Sequence, residues 1–312
     1  MSHDPGGAVA SRRVAVPKRM SVAARANLDG YLFILPWLLG LVALQIGPML
    51  ASMYLSLTHY EVLTPPVFIA LDNYKRLFTD DPLFVKSLLK TLYYVAGSVP
   101  VRLGVALVLA LLLNQPLPGS YLFRVLFYLP SVTSGVAVAT VWLWMFEPTY
   151  GVINNVLKWF HIPGPPWLGS IDWAMPSIIV MSFIYIGSMM VVFLAGLQGI
   201  PRHLYEAAEI DGASGWRRFL NITLPMLSST IFFNLIMTVI TSFQVFTNVY
   251  VMTRGGPANA TYVYMVYLYD QAFRYVHMGY ACALAWVLFV IILIVTLIQV
   301  KTSGWVYYEG GH

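Results

Sequence analysis

The sequence predicts an all-α membrane protein of about six transmembrane helices with both termini in the cytosol, and three observations predict it. Of 312 residues, 59% are hydrophobic and only 10% charged, with a mean hydropathy of +0.72. A soluble domain carries about a quarter charged residues, so this chain lacks the charge to cover a globule and must turn most of its surface to lipid. The second observation is a series of apolar runs of the roughly 20 residues that a spanning helix needs. The third is the bias of lysine and arginine to one side of those runs.

Taken in order, residues 1–30 form a polar segment with no apolar core of the signal-peptide type. The runs then fall at Tyr31–Leu57, Leu88–Leu113, Tyr121–Phe146, Ala174–Leu197, Pro225–Tyr250 and Met278–Val300. A short cytosolic tail, 301–312, follows the single six-span domain of 31–300. An even number of spans puts both termini on one side. That side holds ten basic residues: Arg12, Arg13, Lys18, Arg19 and Arg25 before the first span, then Arg124, Arg202, Arg217, Arg218 and Lys301. The other side holds seven, which are Lys75, Arg76, Lys86, Lys90, Lys158, Arg254 and Arg274. The excess places both termini in the cytosol. Trp142, Trp144, Trp167 and Trp173 then gather at the outer interface, with Trp305, Tyr307 and Tyr308 at the inner one. Prolines at 36, 48, 100, 130 and 225 interrupt spans. Broken helices at membrane depth are tolerated where they face protein or a cavity, and this favours a transporter over an anchor.

Ion-coupled carriers place ionisable groups in the bilayer, yet no Asp or Glu falls within the six runs. Arg102 is the intramembrane charge, read either as a snorkelling or backbone-paired group beside Pro100 or as a cavity residue. The chain has no Gly-Lys dipeptide and so no P-loop to hold ATP. Active transport therefore requires a motor on another polypeptide. The basic residues form no stripe, which excludes a nucleic-acid partner. His161, His203 and His277 lack metal-ligand spacing, no metal or catalytic residue is assigned, and Cys282 sits in an apolar run as a small hydrophobe. Val152–Phe160 reads as an interfacial helix with Trp159 and Phe160 at the membrane surface.

The loop between the fourth and fifth spans, about 198–225, reads as two short helices, Pro201–Ile210 and Ser214–Asn221, joined at Gly212. Glu206, Ala207, Ala208, Asp211 and Gly212 form its centre, with small residues for close approach and a carboxylate for a partner surface. The spacing Glu206-Ala207-Ala208, three residues, Gly212, nine residues, Ile222-x-Leu224-Pro225 fills the EAA motif without a gap. The chain thus resembles permease subunits of binding-protein-dependent ATP-binding-cassette (ABC) importers. Leu71-Asp72-Asn73-Tyr74, Phe127-Tyr128-Leu129-Pro130, Trp144-Met145-Phe146 to Tyr150-Gly151, Gly199-Ile200-Pro201 and Gly255-Gly256-Pro257 follow the order of the carbohydrate branch, which includes the maltose, lactose and glycerol-phosphate permeases. The resemblance covers roughly 31–301. It implies the type I importer permease fold, a heterodimer with a second permease subunit, two cytosolic ATPase subunits that carry ATP and Mg, and an extracytoplasmic solute-binding protein. No cofactor is bound by this chain itself, and the location it implies is the cytoplasmic (inner) membrane of a bacterium or archaeon. The large external insert of the maltose-type permease is missing, since only about 30 residues separate the first two spans.

At 100° per residue, Thr230, Asn234, Thr238, Thr241, Ser242 and Asn248 fall on one side of the fifth span. Ser177, Met181, Tyr185 and Ser188 make a weaker stripe on the fourth. Two readings stand: polar glue between helices, or a sugar path in which hydroxyls and amides meet sugar hydroxyls. The resemblance implies the second, because the maltose-type permease holds its substrate on these same two spans. The alternative to an ATP-driven sugar importer is a stand-alone carrier or facilitator for a neutral polar solute, which would have no use for an EAA loop.

Overall fold

The computed structural model describes residues 22–116 and 118–306. The predicted N-terminal basic residues 12–19 and the tail aromatics Tyr307 and Tyr308 lie outside the described residues. The chain divides after Ser52 into two compact units. The first contains α1 (Val22–Leu41), a π-helical segment at Val42–Ile46 and the start of α2 (Gly47–Ser56). Its exposed faces are apolar, with Phe33 86% and Leu44 77% accessible, and Asp29–Ser56 is long and apolar enough to cross a membrane. Pro36 sits inside α1 without ending it.

The second unit begins with a two-stranded ribbon, β1 (Thr58–His59) antiparallel to β2 (Val67–Phe68), pairing Thr58 with Phe68 and His59 with Val67. Helix α3 (Asp72–Thr79) follows. Its Asn73 is buried and donates to the carbonyls of Ser56 and Thr58 at 2.8 and 2.9 Å, while Tyr74 Oη lies 2.8 Å from Ser56 Oγ. The Leu-Asp-Asn-Tyr segment thus closes the backbone groups left open where α2 ends. The long α4 (Pro82–Leu113) starts earlier than the apolar run suggests. Asp81 caps it by accepting from the amides of Leu83 and Phe84, and Pro82 fills the first turn, where a missing N–H costs nothing.

The expected third span is two helices, α5 (Ser120–Val132) and α6 (Gly135–Met145), bent by 103°. Pro130 and the extended Thr133 and Ser134 break the helix, and Thr133 Oγ1 donates back to the Pro130 carbonyl at 2.8 Å. The pair still connects opposite ends of the bundle. Arg124 Nη2 donates to the Leu113 carbonyl at 2.6 Å at one end. At the other, Phe146 packs with Met181, Met252 and Trp167. Beyond it lies α7 (Val152–Trp159), with Trp159 and Phe160 exposed and Asn154 buried under the Trp167 indole, whose Nε1 donates to it at 2.6 Å.

The fourth span is α8 (Ala174–Met181), a 3₁₀ turn at Ser182–Tyr185, and α9 (Ile186–Gly199). Short helices α10 (Arg202–Ile210), α11 (Gly215–Arg218) and α12 (Leu224–Met226) make the loop, with a π segment at Phe219–Thr223. The fifth span is α13 (Ser228–Phe243), broken at residues 244–246 before α14 (Thr247–Met252). It begins beyond Pro225, which belongs to the short α12. Then come α15 (Tyr264–Tyr269), a π segment at Asp270–Arg274, and α16 (Met278–Lys301). Among the described residues five helices meet the length and apolarity of a span, and the bent pair, counted as one span, makes six.

Helix α4 is the central post, packed against α9, α13 and α15, while α5 lies on α9 and α6 on α14. Gly187 permits the α5–α9 crossing, because a β-carbon there would overlap the Phe127 carbonyl. Ala106, Ala110, Met190, Phe193 and Leu227 fill one part of the core. Phe84, Val263, Tyr264 and Leu284 fill another. At that second end the Asp81 carboxylate also accepts from Tyr267 and Tyr280 Oη, tying α4 to α15 and α16.

Candidate functional site

Two adjoining cavities lie among α4, the α5–α6 break, the fourth span and the fifth. The first, of about 300 Å³, is lined by Tyr185, Thr241, Ser242 and Asn248, and by Tyr94, Arg102, Gly135 and Ser182. The second, of about 470 Å³, is lined by Tyr185, Ser188, Asn234, Thr238 and Thr241, and by Arg102, Tyr128 and Ser131. Arg102, Tyr185 and Thr241 belong to both, so the two adjoin as one passage with a polar side, which Met189, Val192, Phe233 and Met237 line as well in the second cavity. The seven residues Tyr185, Ser188, Asn234, Thr238, Thr241, Ser242 and Asn248 are all brought to it.

Local structure explains the arrangement. On α13, Asn234, Thr238, Thr241 and Ser242 lie at helical spacing, so they share one face. Asn248 reaches the cavity differently from the continuous wheel expected: the helix stops at Phe243, and α14 carries Asn248 back toward Tyr185, whose Oη lies 3.5 Å from Asn248 Oδ1. The 3₁₀ turn at Ser182–Tyr185 turns Ser182 and Tyr185 into the first cavity. The α5 break brings in Ser131, whose Oγ accepts from the Ser188 amide at 3.2 Å.

Three stripe residues stand elsewhere. Thr230 packs on Gly196, where an added β-carbon would come 2.6 Å from its Oγ1. Ser177 Oγ donates to the Trp173 carbonyl at 2.7 Å within its own helix. Met181 fills the core beside Ala139 and Phe146. These are helix-packing positions away from the passage. Within the passage the balance differs. Asn234 Nδ2 and Ser242 Oγ are buried with no hydrogen-bond partner, whereas buried polar groups are normally satisfied. A ligand hydroxyl would satisfy them.

The wheel missed the contribution of α4. Tyr94 and Arg102 line the first cavity, and the signal was present in a polar row at 87, 91, 94, 98 and 102 with helical spacing. Arg102 is eleven residues from the nearer end of α4, about 17 Å at 1.5 Å per residue. Arg102 lines both cavities, and this is the cavity-residue reading of the two.

The second candidate region is the loop of α10 to α12. Glu206, Ala207, Asp211 and Gly212 are exposed and Ala208 is half-buried. Gly212 has φ +73°, a left-handed conformation suited to glycine, and its amide donates to the Glu209 carbonyl at 3.0 Å. Ser214 Oγ accepts from the Arg217 amide at 3.4 Å and starts α11. That helix is shorter than expected, ending at Arg218 where the backbone widens into the π segment. Arg218 pairs with Glu209 at 2.6 Å, and Tyr205 Oη bonds Thr223 Oγ1 at 2.9 Å. The loop is thus internally braced, while Ile210 (88%) and Trp216 (68%) remain exposed on it.

Among the described residues no group of three His, Cys, Asp or Glu is placed to hold a metal. On the opposite end of the bundle, Tyr262 donates to Asp270 at 2.7 Å, and burial together with that carboxylate pushes its phenol pKa up. Gly255, in the Gly-Gly-Pro segment, has φ +88° beneath the Tyr262 ring.

A bundle of apolar spans that carries an open passage lined with polar groups, with a braced EAA turn exposed at one end, defines a permease subunit of an ABC importer. It is a multi-pass membrane protein and a transport component rather than an enzyme. The chain belongs to the family of binding-protein-dependent transport system inner membrane components, whose model matches residues 102–302. It is 44% identical to a probable ABC transporter permease, YesP, of Bacillus subtilis over 95% of this chain and 96% of that protein. It is 35% identical to the lactose transport permease LacF of Rhizobium radiobacter, over 92% and 97% of the two chains. Among solved structures, a bacterial alginate ABC transporter crystallised with its alginate-bound periplasmic protein superposes with a TM-score of 0.79 at 23% identity, covering 90% of this chain and 95% of that one. That likeness is one of fold.

Proposed function

We propose that this chain forms one half of the translocation path of an ATP-driven carbohydrate importer, working by alternating access with a second permease subunit. The observation that carries the reading is the convergence of polar residues of the fourth and fifth spans on one passage that no carboxylate lines among the described residues. Hydroxyls, amides and aromatic rings suit sugar hydroxyls and ring faces. The naming of the 35%-identical relative as a lactose permease supports the same class of cargo.

In this reading both termini and the α10–α12 loop face the cytosol. Glu206, Ala207, Ala208, Asp211 and Gly212 dock two ATPase subunits, which hold the ATP and Mg; this chain binds no cofactor. An extracytoplasmic solute-binding protein delivers the sugar to the opposite end. The membrane is the cytoplasmic (inner) membrane of a bacterium or archaeon. The domain is the six-span body of 31–300 between cytosolic segments 1–30 and 301–312. The family assignment favours this over a stand-alone carrier, because the exposed EAA turn serves a partner.

The test is to co-express the chain with an ATP-binding-cassette ATPase and a second permease subunit from the same organism, purify through a tag on this chain, and measure subunit stoichiometry. A complex with one copy of this chain and two ATPase subunits is expected. Recovery of the chain alone, or as a homo-oligomer without ATPase, overturns the proposal.

A further inference from the structure

Arg102 lines both cavities, and among the described residues no Asp or Glu lines either one. Its Nε is buried without a hydrogen-bond partner, and the ion pairs among the described residues all lie elsewhere. An arginine cannot shed its proton, and an isolated charge at membrane depth is costly enough that such groups pair with something. A neutral sugar path would be served as well by glutamine. A guanidinium offers a planar fork that matches a carboxylate with two parallel hydrogen bonds.

A second observation points the same way. On the α14–α15 side lies a further cavity of about 490 Å³, lined by Tyr250, Tyr269, Phe273, Arg254, Arg274 and Asp270. Arg274 stands 4.0 Å from Asp270, which already accepts from Tyr262, while Arg254 has no acid in ion-pair range among the described residues. The rings of Phe246, Tyr250, Tyr269 and Phe273 stand in successive contact, with centroids 4.9–5.0 Å apart. Phe246 itself lines the first cavity. An aromatic ladder therefore runs from a cavity bearing Arg254 and the Arg274–Asp270 pair, one positive charge in excess, to the cavity bearing Arg102. Aromatic faces take sugar rings, and the arginines take negative charge.

We propose that the substrate is an anionic carbohydrate, a sugar bearing a carboxylate, which enters past Arg254 and Arg274 and places its carboxylate on Arg102. This rests on the importer reading above. The alternative counter-ion for Arg102 is an acidic side chain of the second permease subunit, and the experiment separates the two.

The complete complex, with its binding protein, is reconstituted in ATP-loaded vesicles and offered matched disaccharides, each as the uronide and as its carboxyl-reduced neutral counterpart. Wild type is expected to import a uronide at least tenfold faster than its neutral match. In Arg102→Gln, with subunit stoichiometry intact, that ratio should fall at least tenfold, and Arg102→Lys should restore part of it. Arg254→Gln should raise the concentration of uronide needed for half-maximal uptake. Import of the neutral member alone, or an unchanged ratio in Arg102→Gln, overturns the anionic-cargo inference and leaves the importer reading standing. Loss of assembly in Arg102→Gln assigns the charge to a subunit contact and likewise overturns it. ATP hydrolysis without uptake of either member of any pair overturns the carbohydrate reading itself.

Discussion

Replacing Gly212 by valine tests whether the EAA turn transmits force. The residue has φ +73°, where a β-carbon costs about 1–2 kcal/mol and a β-branched side chain is a true outlier. An added β-carbon would meet nothing within 4 Å, so the cost is conformational and stays within the loop. The forces holding the turn are of similar size. Glu209, which pairs with Arg218, is 65% exposed, and exposed pairs contribute about 0–1 kcal/mol. The Tyr205–Thr223 hydrogen bond adds about 1 kcal/mol. A penalty of 1–2 kcal/mol should therefore lower the population of the native turn about 5- to 30-fold. Asparagine tolerates the left-handed region and should be mild. The assay is ATP hydrolysis by the purified complete complex, stimulated by sugar-loaded binding protein. Gly212→Val should lose most of the stimulation and Gly212→Asn little, with the membrane core intact in both. Full stimulation in Gly212→Val would refute the assignment of this turn as the coupling element.

The polar passage predicts that Asn234→Leu, Thr238→Leu and Ser242→Leu each slow uptake about fivefold, the value of one lost hydrogen bond near 1 kcal/mol, without changing subunit stoichiometry; normal uptake in all three would make the stripe helix glue. Asp81→Ala removes an N-cap and strands the Tyr267 and Tyr280 phenols. It should destabilise the protein by about 2–5 kcal/mol, read as a lower unfolding temperature in detergent, and an unchanged temperature would contradict the packing described. Gly187→Val forces a β-carbon into the Phe127 carbonyl and should abolish recovery of folded protein. Gly104→Ala, where an added β-carbon meets nothing within 4 Å, should be recovered normally.

The bundle and much of the passage were legible because lipid exposure forces long apolar runs and because helical spacing collects Asn234, Thr238 and Ser242 on one face. The 103° bend at residues 133–134 was not legible from Pro130 alone, since Pro36 and Pro100 sit in helices that continue. What decides it is the extended backbone of Thr133 and Ser134, fixed by the packing of α6 on α14. Thr230 has the wheel position of a passage residue and yet packs on Gly196, because angular position does not say where along a helix a neighbour crosses. Arg102 was visible as a charge, but its surroundings come from three other spans. The docking role proposed for Glu206 and Gly212 comes from the motif, and the geometry adds an exposed, braced turn at those residues.

The central claim is that this chain transports only as part of an ATP-driven complex, and uptake itself tests it most directly. Vesicles containing this chain alone, and vesicles containing the complete complex with its binding protein, are loaded with ATP and given a panel of labelled neutral and acidic sugars. Saturable uptake by the complete complex, abolished when ATP is omitted and absent from the chain alone, is the predicted result. Saturable uptake by the chain alone would contradict the account.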